Sequence, residues 1–160
     1  MLLKSHKLVN KLESLKSYID LDKKKEKTIV FTNGCFDIIH SGHIHILEVA
    51  KSKGDVLVVG LNSDESVSKI KPGRPINSEL DRAYVLSAIS FIDYIYIFND
   101  ETPENLIIEI SPDVLIKGGD YQGKYIAGQD HMEKIKKTVE LVELVPEKST
   151  SKLIDIIKKS

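Results

Sequence analysis

The sequence predicts an α/β fold, a Rossmann-like three-layer α/β/α arrangement around a five-stranded parallel sheet. Apolar segments rich in β-branched residues alternate with segments of helical periodicity five times along the chain. Residues 55–61 are apolar almost throughout, as expected of a strand that helices cover on both faces. Because parallel strands need crossover connections, the alternation indicates right-handed crossovers with helices on both faces of one sheet.

The predicted elements follow from apolar spacing and from residues that begin or end helices. Apolar residues at helical spacing predict an amphipathic helix over 3–19, and the charged residues 20–27 predict a linker. Thr102 is expected to cap a helix whose first position is Pro103, where the missing N–H does no harm. Two prolines and a glycine predict a loop over 71–75. The predicted strands cover 28–31, 55–61, 94–98, 114–116 and 139–145, and further helices are predicted over 42–54, 63–70, 78–90 and 130–137 and after 149.

Composition narrows the class of protein. The 160 residues suit one domain, and 41% hydrophobic with 29% charged residues is typical of a soluble globular protein. A net charge of −1 gives no reason to expect nucleic acid as a partner. One cysteine excludes an internal disulfide framework, and no apolar run approaches the ~20 residues that span a membrane. We therefore expect a cytoplasmic protein.

Residues 32–43 are the most informative part of the chain for function. They follow the first predicted strand, contain a turn with glycine, and lead into a helix. Unpaired N–H groups and the positive end of the helix dipole favour an anion at such a turn. His40 and His43 flank Gly42 and add donors that can follow negative charge as it builds on a phosphate. The turn therefore predicts a phosphate site, with His45 on a different side of the helix.

A metal site is an alternative interpretation of the same turn. Asp37, His40 and His43 are spaced three residues apart and carry side chains that bind metals. Zinc sites usually take a third or fourth ligand from a second cluster, and the remaining histidines, His6 and His131, do not belong to such a cluster. We therefore favour the phosphate site.

A second candidate motif resembles a P-loop only in part. Gly118, Gly123 and Lys124 match the P-loop spacing, but Tyr125 stands where a hydroxyl of Ser or Thr would hold Mg²⁺. The sequence favours instead a loop that lines the pocket.

A further anion site is predicted where the last helix begins. Residues 149–151 are all hydroxyl residues, whereas capping needs only one, and Lys148 precedes them. Arg82 could reach the phosphates or could pair with a carboxylate in a structural role. The side chains that would suit a triphosphate or pyrophosphate group are Lys69, Lys71, Arg74 and Arg82.

These motifs resemble those of a known superfamily. Residues 33–37 followed by His-Ser-Gly-His at 40–43 resemble the first motif of the HxGH nucleotidyltransferases, which include cytidylyltransferases for glycerol phosphate and choline phosphate. Residues 149–151 resemble their second motif, and Arg82 with Leu86 resembles their Arg-x-x-x-Leu element.

Four further stretches, which are less specific than these motifs, point to one subgroup of the superfamily. They are similar to the adenylyltransferases of D-glycero-β-D-manno-heptose 1-phosphate, and the resemblance covers about 27–159. The glycerol-phosphate relatives carry Asp where Gly119 stands, which argues against a cytidylyl donor in that form. The stretches are 61–64, 73–77, 117–121 and 126–128.

The resemblance implies a nucleotidyltransferase domain over 27–160, preceded by a helix and linker over 1–26. It implies transfer of AMP from ATP to a heptose 1-phosphate, giving ADP-heptose for lipopolysaccharide and related glycans. Mg²⁺ would accompany ATP, bound mostly by phosphate oxygens and water. A homodimer is expected, and neither nucleic acid nor membrane is expected as a partner. A cytidylyltransferase for another polyol or sugar phosphate and a non-catalytic nucleotide-binding regulator remain alternatives.

The resemblance also implies roles for particular residues, in three groups. The catalytic group is His40, His43, Lys69 and Arg82. The nucleotide-binding group is Thr32, Asn33, Gly34, Cys35, Phe36, Gly42, Lys71, Gly118, Asp120, Lys148, Ser149, Thr150 and Ser151. The group expected to contact the sugar phosphate is Asp37, Asn62, Tyr121 and Gly128.

Overall fold

A five-stranded parallel sheet forms the centre of the protein. The computed structural model describes residues 5–119, 123–143, 145–146 and 149–159. The strand order is β3-β2-β1-β4-β5, and every neighbouring pair is parallel. The predicted fold class is confirmed. The strands are β1 (Ile29–Gly34), β2 (Val56–Asn62), β3 (Tyr94–Phe98), β4 (Val114–Gly118) and β5 (Thr138–Val142).

Helices cover both faces of the sheet, and each face has its own apolar core. Side chains alternate along β1, so Phe31 packs toward one face and Val30 toward the other. The helices are α1 (Leu12–Lys24), α2 (Ser41–Ser52), α3 (Asp64–Ile70), α4 (Glu79–Ser87), α5 (Glu104–Ile110), α6 (Gln129–Lys134) and α7 (Thr150–Lys159). The Phe31 core includes residues of α1, α5 and α6, and the Val30 core includes residues of α2 and α4.

Acidic side chains accept hydrogen bonds from backbone amides at the amino ends of the strands. Asp55 accepts a hydrogen bond from the amide of Thr28, Asp93 from that of Leu57, and Asp113 from that of Ile29, all at 2.7–2.8 Å. These amides would otherwise lack a partner at the edge of the sheet. The opposite edge, at the carboxyl ends of the strands, is where ligands bind in sheets of this kind.

The N-terminal segment differs from the prediction. The helix begins at Leu12 and continues to Lys24, so the predicted start near residue 3 and the predicted linker over 20–24 are wrong. Leu8 is extended and bridges Ile95 on the outer edge of β3, since the hydrogen bonds available there outweigh its helical spacing. Leu15 and Ile19 of α1 are buried in the Phe31 core, which anchors the helix.

Two other predicted boundaries also shift. Pro103 is the N-cap of α5 and no side chain caps that helix, so Thr102 does not have its predicted capping role. β5 ends at Val142, three residues before the predicted end. Within the described parts of the chain, no helix has the length and apolarity needed to cross a membrane.

Candidate active site

A cavity of about 480 Å³ lies at the carboxyl ends of β1, β2 and β4. The first turn of α2, the loop after α3, the start of α5 and the start of α7 complete its walls. Eleven of the predicted site residues line it, so the chain brings most of the predicted nucleotide-binding group together. They are Thr32, Asn33, Gly34, Cys35, Phe36, Asp37, His43, Asn62, Lys71, Gly118 and Thr150.

The two histidines of the motif cap the first turn of α2. Nδ1 of His40 accepts a hydrogen bond from the amide of Gly42 at 3.1 Å, and Nδ1 of His43 accepts one from the amide of His40 at 3.3 Å. The two rings stack with centroids 3.9 Å apart. Because each Nδ1 acts as an acceptor, each neutral ring carries its proton on Nε2. Both imidazoles are thereby fixed as Nε2–H donors.

The surroundings of His43 keep its ring neutral. Burial lowers the pKa of His43 to about 4, and the neighbouring groups His40 and Lys71 act in the same direction. The Phe36 ring lies against it, with centroids 5.3 Å apart. Phe36 has a φ of +46°, an uncommon conformation that places its ring beside the imidazole. At pH 7 His43 is therefore a neutral hydrogen-bond donor.

Asp37 holds the proline loop against the β1–α2 turn. Its side chain is 0% exposed and accepts hydrogen bonds from the Arg74 guanidinium and from the amides of Ile76 and Asn77. Burial alone would raise the pKa of the Asp37 carboxyl, but the two amides and Arg74 outweigh it and lower the pKa. A carboxylate with these partners is a structural anchor. The structure thus gives Asp37 an anchoring role, and its contact with substrate stays a prediction.

Arg82 is a second structural tie, and its side chain does not line the cavity. The residue is 1% exposed, and its guanidinium donates to the carbonyl groups of Cys35, Asn62 and Asn77 and to the Asp64 carboxylate, at 2.6–3.0 Å. Of the two roles considered for Arg82, the structure shows the pairing with a carboxylate, and a role at the phosphates stays a prediction.

Two other predicted catalytic residues lie off the cavity lining. Lys69 is exposed and pairs with Glu65 one turn away at 2.7 Å. His40 is half-buried, and its ring stacks on the side chain of His43, which does line the cavity.

The start of α7 is joined to the histidine turn through one hydroxyl. Thr150 donates to the carbonyl of Ile38 at 3.2 Å and lines the cavity. Ser149 accepts a hydrogen bond from the amide of Lys152, which is an ordinary helix cap. Ser151 is exposed and does not line the cavity.

Two predicted glycines have conformational roles. Gly42 donates its amide to His40 in the capping arrangement. Gly128 has a φ of +87° at the start of α6, where a Cβ atom would lie 2.7 Å from Ile107, so the position needs glycine and lies off the cavity lining. Asp120, Tyr121 and Lys148 lie outside the described residues.

Neither alternative motif is supported by the geometry. Among the described residues, no group of three His, Cys, Asp or Glu side chains is arranged to hold a metal ion, and Asp37 is bonded to the proline loop. The helix after Lys124 begins only at Gln129, and Lys124 is exposed and off the cavity lining, unlike a P-loop lysine.

Several residues that the sequence did not assign to the site also line the cavity. Lys117 is the last residue but one of β4 and is 5% exposed, which is unusual for a lysine. A lysine at the end of an otherwise apolar strand, next to Gly118, is the signal that could have identified it. The others are Ile46, Ile70, Glu101, Thr102, Pro103, Glu104, Tyr125 and Ala127, and Arg74, which the sequence names as a candidate for the phosphates, lines the cavity as well.

The anchoring role of Asp37 predicts a large loss of stability in Asp37→Asn. The variant leaves the Arg74 guanidinium without its charged partner and turns an amide nitrogen toward N–H donors, so the free energy of unfolding should fall by about 3–5 kcal/mol. Urea denaturation measures it, with Asp20→Asn on the exposed face of α1 as the control, expected within about 0.5 kcal/mol of wild type. A loss below about 1 kcal/mol would contradict the role given to Asp37.

Comparison with known proteins agrees with this geometry. Residues 31–159 match the model of the family described as cytidylyltransferase-like. The chain is 53% identical over 139 residues to the bifunctional protein HldE of Campylobacter curvus, covering 86% of this chain and 29% of that protein. It is 46% identical over 146 residues to the HldE of Syntrophotalea carbinolica, covering 91% of this chain and 30% of that protein. The chain thus spans about a third of the length of these relatives.

Two solved structures are similar to this chain in fold. The lipopolysaccharide core biosynthesis protein of Thermoplasma volcanium superposes with a TM-score of 0.60 at 30% identity, covering 74% of this chain and 97% of that one. Pantoate-beta-alanine ligase of Francisella tularensis superposes with a TM-score of 0.63 at 14% identity, covering 90% and 68%, and shares the fold. The family predicted from the histidine motif is confirmed: this chain belongs to the cytidylyltransferase-like family of nucleotidyltransferases.

Proposed function

We propose that this chain transfers AMP from ATP to D-glycero-β-D-manno-heptose 1-phosphate, giving ADP-heptose and pyrophosphate. The observation that carries the proposal is the stacked histidine pair at the first turn of α2, with both Nδ1 atoms accepting backbone hydrogen bonds. Two fixed Nε2–H donors beside a helix N-terminus suit a phosphate that gains negative charge during reaction.

The reaction needs no covalent intermediate on the protein. An oxygen of the sugar phosphate attacks the α-phosphorus of ATP, the new P–O bond forms, and the bond to pyrophosphate breaks on the opposite side. Catalysis of this kind depends on positioning and on stabilising the charge around phosphorus. His43, which is neutral at pH 7, would donate a hydrogen bond to the α-phosphate oxygens, and His40 would support its ring.

The residues on one side of the histidine turn suit the rest of the triphosphate. Lys71 and Arg74 line the cavity there, and the Thr150 hydroxyl brings the start of α7 to the same turn. Cations and a helix N-terminus both favour phosphate oxygens. The amides around Cys35 and Phe36 would hold the α-phosphate, and Lys71, Arg74 and Thr150 the β- and γ-phosphates.

Magnesium is proposed to accompany ATP. The described residues contain no cluster of carboxylate or imidazole side chains arranged to hold a metal ion. The ligands of Mg²⁺ would then be mainly phosphate oxygens and water, which this ion prefers in nucleotide sites. The contribution of this chain is to bind and orient the phosphates.

The choice of acceptor rests on the relatives and on the sequence stretches described above. The matching part of the HldE proteins is 46–53% identical to this chain, and the protein of Thermoplasma volcanium is described as acting in lipopolysaccharide core biosynthesis. A heptose phosphate is a precursor of the kind that such a core requires. These relations favour a sugar 1-phosphate over glycerol phosphate or choline phosphate.

An assay of pyrophosphate release with ATP or CTP, against sugar 1-phosphates and polyol phosphates, tests the proposed function. We expect turnover with ATP and the heptose 1-phosphate, and at least about tenfold lower kcat/KM with every other pair, the loss of one good contact. Preference for CTP with a polyol phosphate would replace the proposed reaction by the cytidylyltransferase reaction. Binding of ATP without turnover of any acceptor would favour a regulator.

Replacing the donor on the cavity wall should slow the reaction strongly. His43→Ala should lower kcat by about 10²–10³-fold, the usual loss for one preorganised donor, while the fold survives. His131→Ala is the matched control, because its ring contacts Ser111, which precedes β4 at the opposite edge of the sheet. Steady-state kinetics and a thermal melt measure both effects, and a kcat within threefold of wild type in His43→Ala would remove the role assigned to this ring.

A further inference from the structure

The charges of the cavity are divided between its two sides. On the α2 side of β1, the lining includes the Lys71 ammonium group, the neutral donor His43, and Arg74, whose guanidinium is paired with Asp37. On the side of α5 and α6, it includes Glu101 and Glu104, together with Lys117 of β4, the strand that pairs with β1. A triphosphate is attracted to the first side and repelled by the second, because like charges raise its energy there.

Lys117 is held next to the β1–α2 turn by the sheet itself. The parallel register pairs Val30 with Val114 and Phe31 with Leu115, which brings Lys117 level with Asn33. The ammonium group donates a hydrogen bond to the Asn33 side-chain oxygen, and the residue is 5% exposed. By alternation along β1 and β4, both side chains lie on the face of the sheet that carries Phe31 and Leu115, opposite the face covered by α2. The structure thus places a buried cation on the far side of the turn from Lys71 and Arg74.

Glu101 and Glu104 form an acidic wall of the cavity, and this wall is suited to hydroxyl groups. Glu104 accepts a hydrogen bond from the Tyr125 hydroxyl at 3.2 Å, and both residues line the cavity beside Glu101. Ionised carboxylates are acceptors only, and two of them at one wall match the many O–H donors of a sugar. Among the described residues of this wall, the two carboxylates would repel a second group of phosphates.

The geometry of displacement at phosphorus assigns the two sides to different substrates. The attacking and leaving oxygens lie roughly in line on opposite sides of the phosphorus atom. If pyrophosphate leaves toward Lys71 and Arg74, the attacking phosphate must approach from the side of Lys117. The cation there offsets the repulsion between two phosphates that have to come within bonding distance.

We propose that Lys117 and Glu104 form the acceptor subsite, in which Lys117 binds the phosphate of the sugar 1-phosphate and Glu104 accepts hydrogen bonds from its hydroxyl groups. The proposal rests on the proposed function, because it names where the second substrate of that reaction binds. Lys117 is then a substrate-binding residue that also positions Asn33, and the nucleotide depends on the opposite side of the cavity.

Calorimetric titration of two ligands separates the acceptor subsite from the nucleotide site. The first ligand is an ATP analogue with a methylene group between the α- and β-phosphorus atoms, and the second is heptose 1-phosphate added to the protein saturated with that analogue. Lys117→Met and Glu104→Ala should each raise the Kd of heptose 1-phosphate about tenfold or more, the effect of losing a hydrogen bond to a charged group. The Kd of the analogue alone should change less than threefold.

The controls are Lys134→Met and Glu133→Ala, which remove the same charges from exposed positions of α6 and should leave both constants unchanged. A loss of analogue affinity equal to the loss of sugar phosphate affinity would overturn the proposal, since it would assign Lys117 to the nucleotide. Unchanged sugar phosphate affinity in both variants with wild-type thermal melts would also overturn it. If the wild type binds the analogue but not heptose 1-phosphate, the proposed function fails first, and that result is distinct from failure in the variants alone.

Discussion

The hydrogen bonds between the first turn of α2 and its two imidazoles are the constraint on which the site depends. The amides of His40 and Gly42 would otherwise be unpaired donors at the helix start, and both are satisfied by ring nitrogens. The same bonds fix the tautomer and the orientation of each ring. The same hydrogen bonds therefore cap the helix and orient the two Nε2–H donors. A change that disturbs the cap also disturbs the site.

Two buried charged side chains hold the surroundings of this turn in place. Asp37 bonds to the loop that carries Lys71 and Arg74, and Arg82 joins that loop to the ends of β1 and β2. Their partners are mostly backbone groups, which have one position once the sheet has formed. The cations of the cavity are thus placed by residues that need not touch a ligand themselves. This separates the residues that build the site from those that line it.

The fold and the position of the site were predictable because they depend on local patterns. Short apolar segments rich in β-branched residues identified the strands, and the glycine turn after β1 identified the histidine pair. Roles that depend on distant partners were not predictable. Leu8 has helical spacing with Leu12 but pairs with Ile95, and Asp37, Arg82 and Lys117 are charged residues whose burial follows from the packing of several elements. A charged residue in a motif does not reveal whether its partner is protein or ligand.

Long-range ¹H–¹⁵N correlation spectra of the histidine side chains test the central claim most directly. We expect Nδ1 of both His40 and His43 to be a hydrogen-bond acceptor with the proton on Nε2, and His43 to be neutral at pH 7 and to stay neutral until the pH falls to about 4. Comparison with the spectrum of His43→Ala assigns the signals. A proton on Nδ1 of either ring, or titration of His43 near its ordinary pKa of about 6.5, would contradict the account.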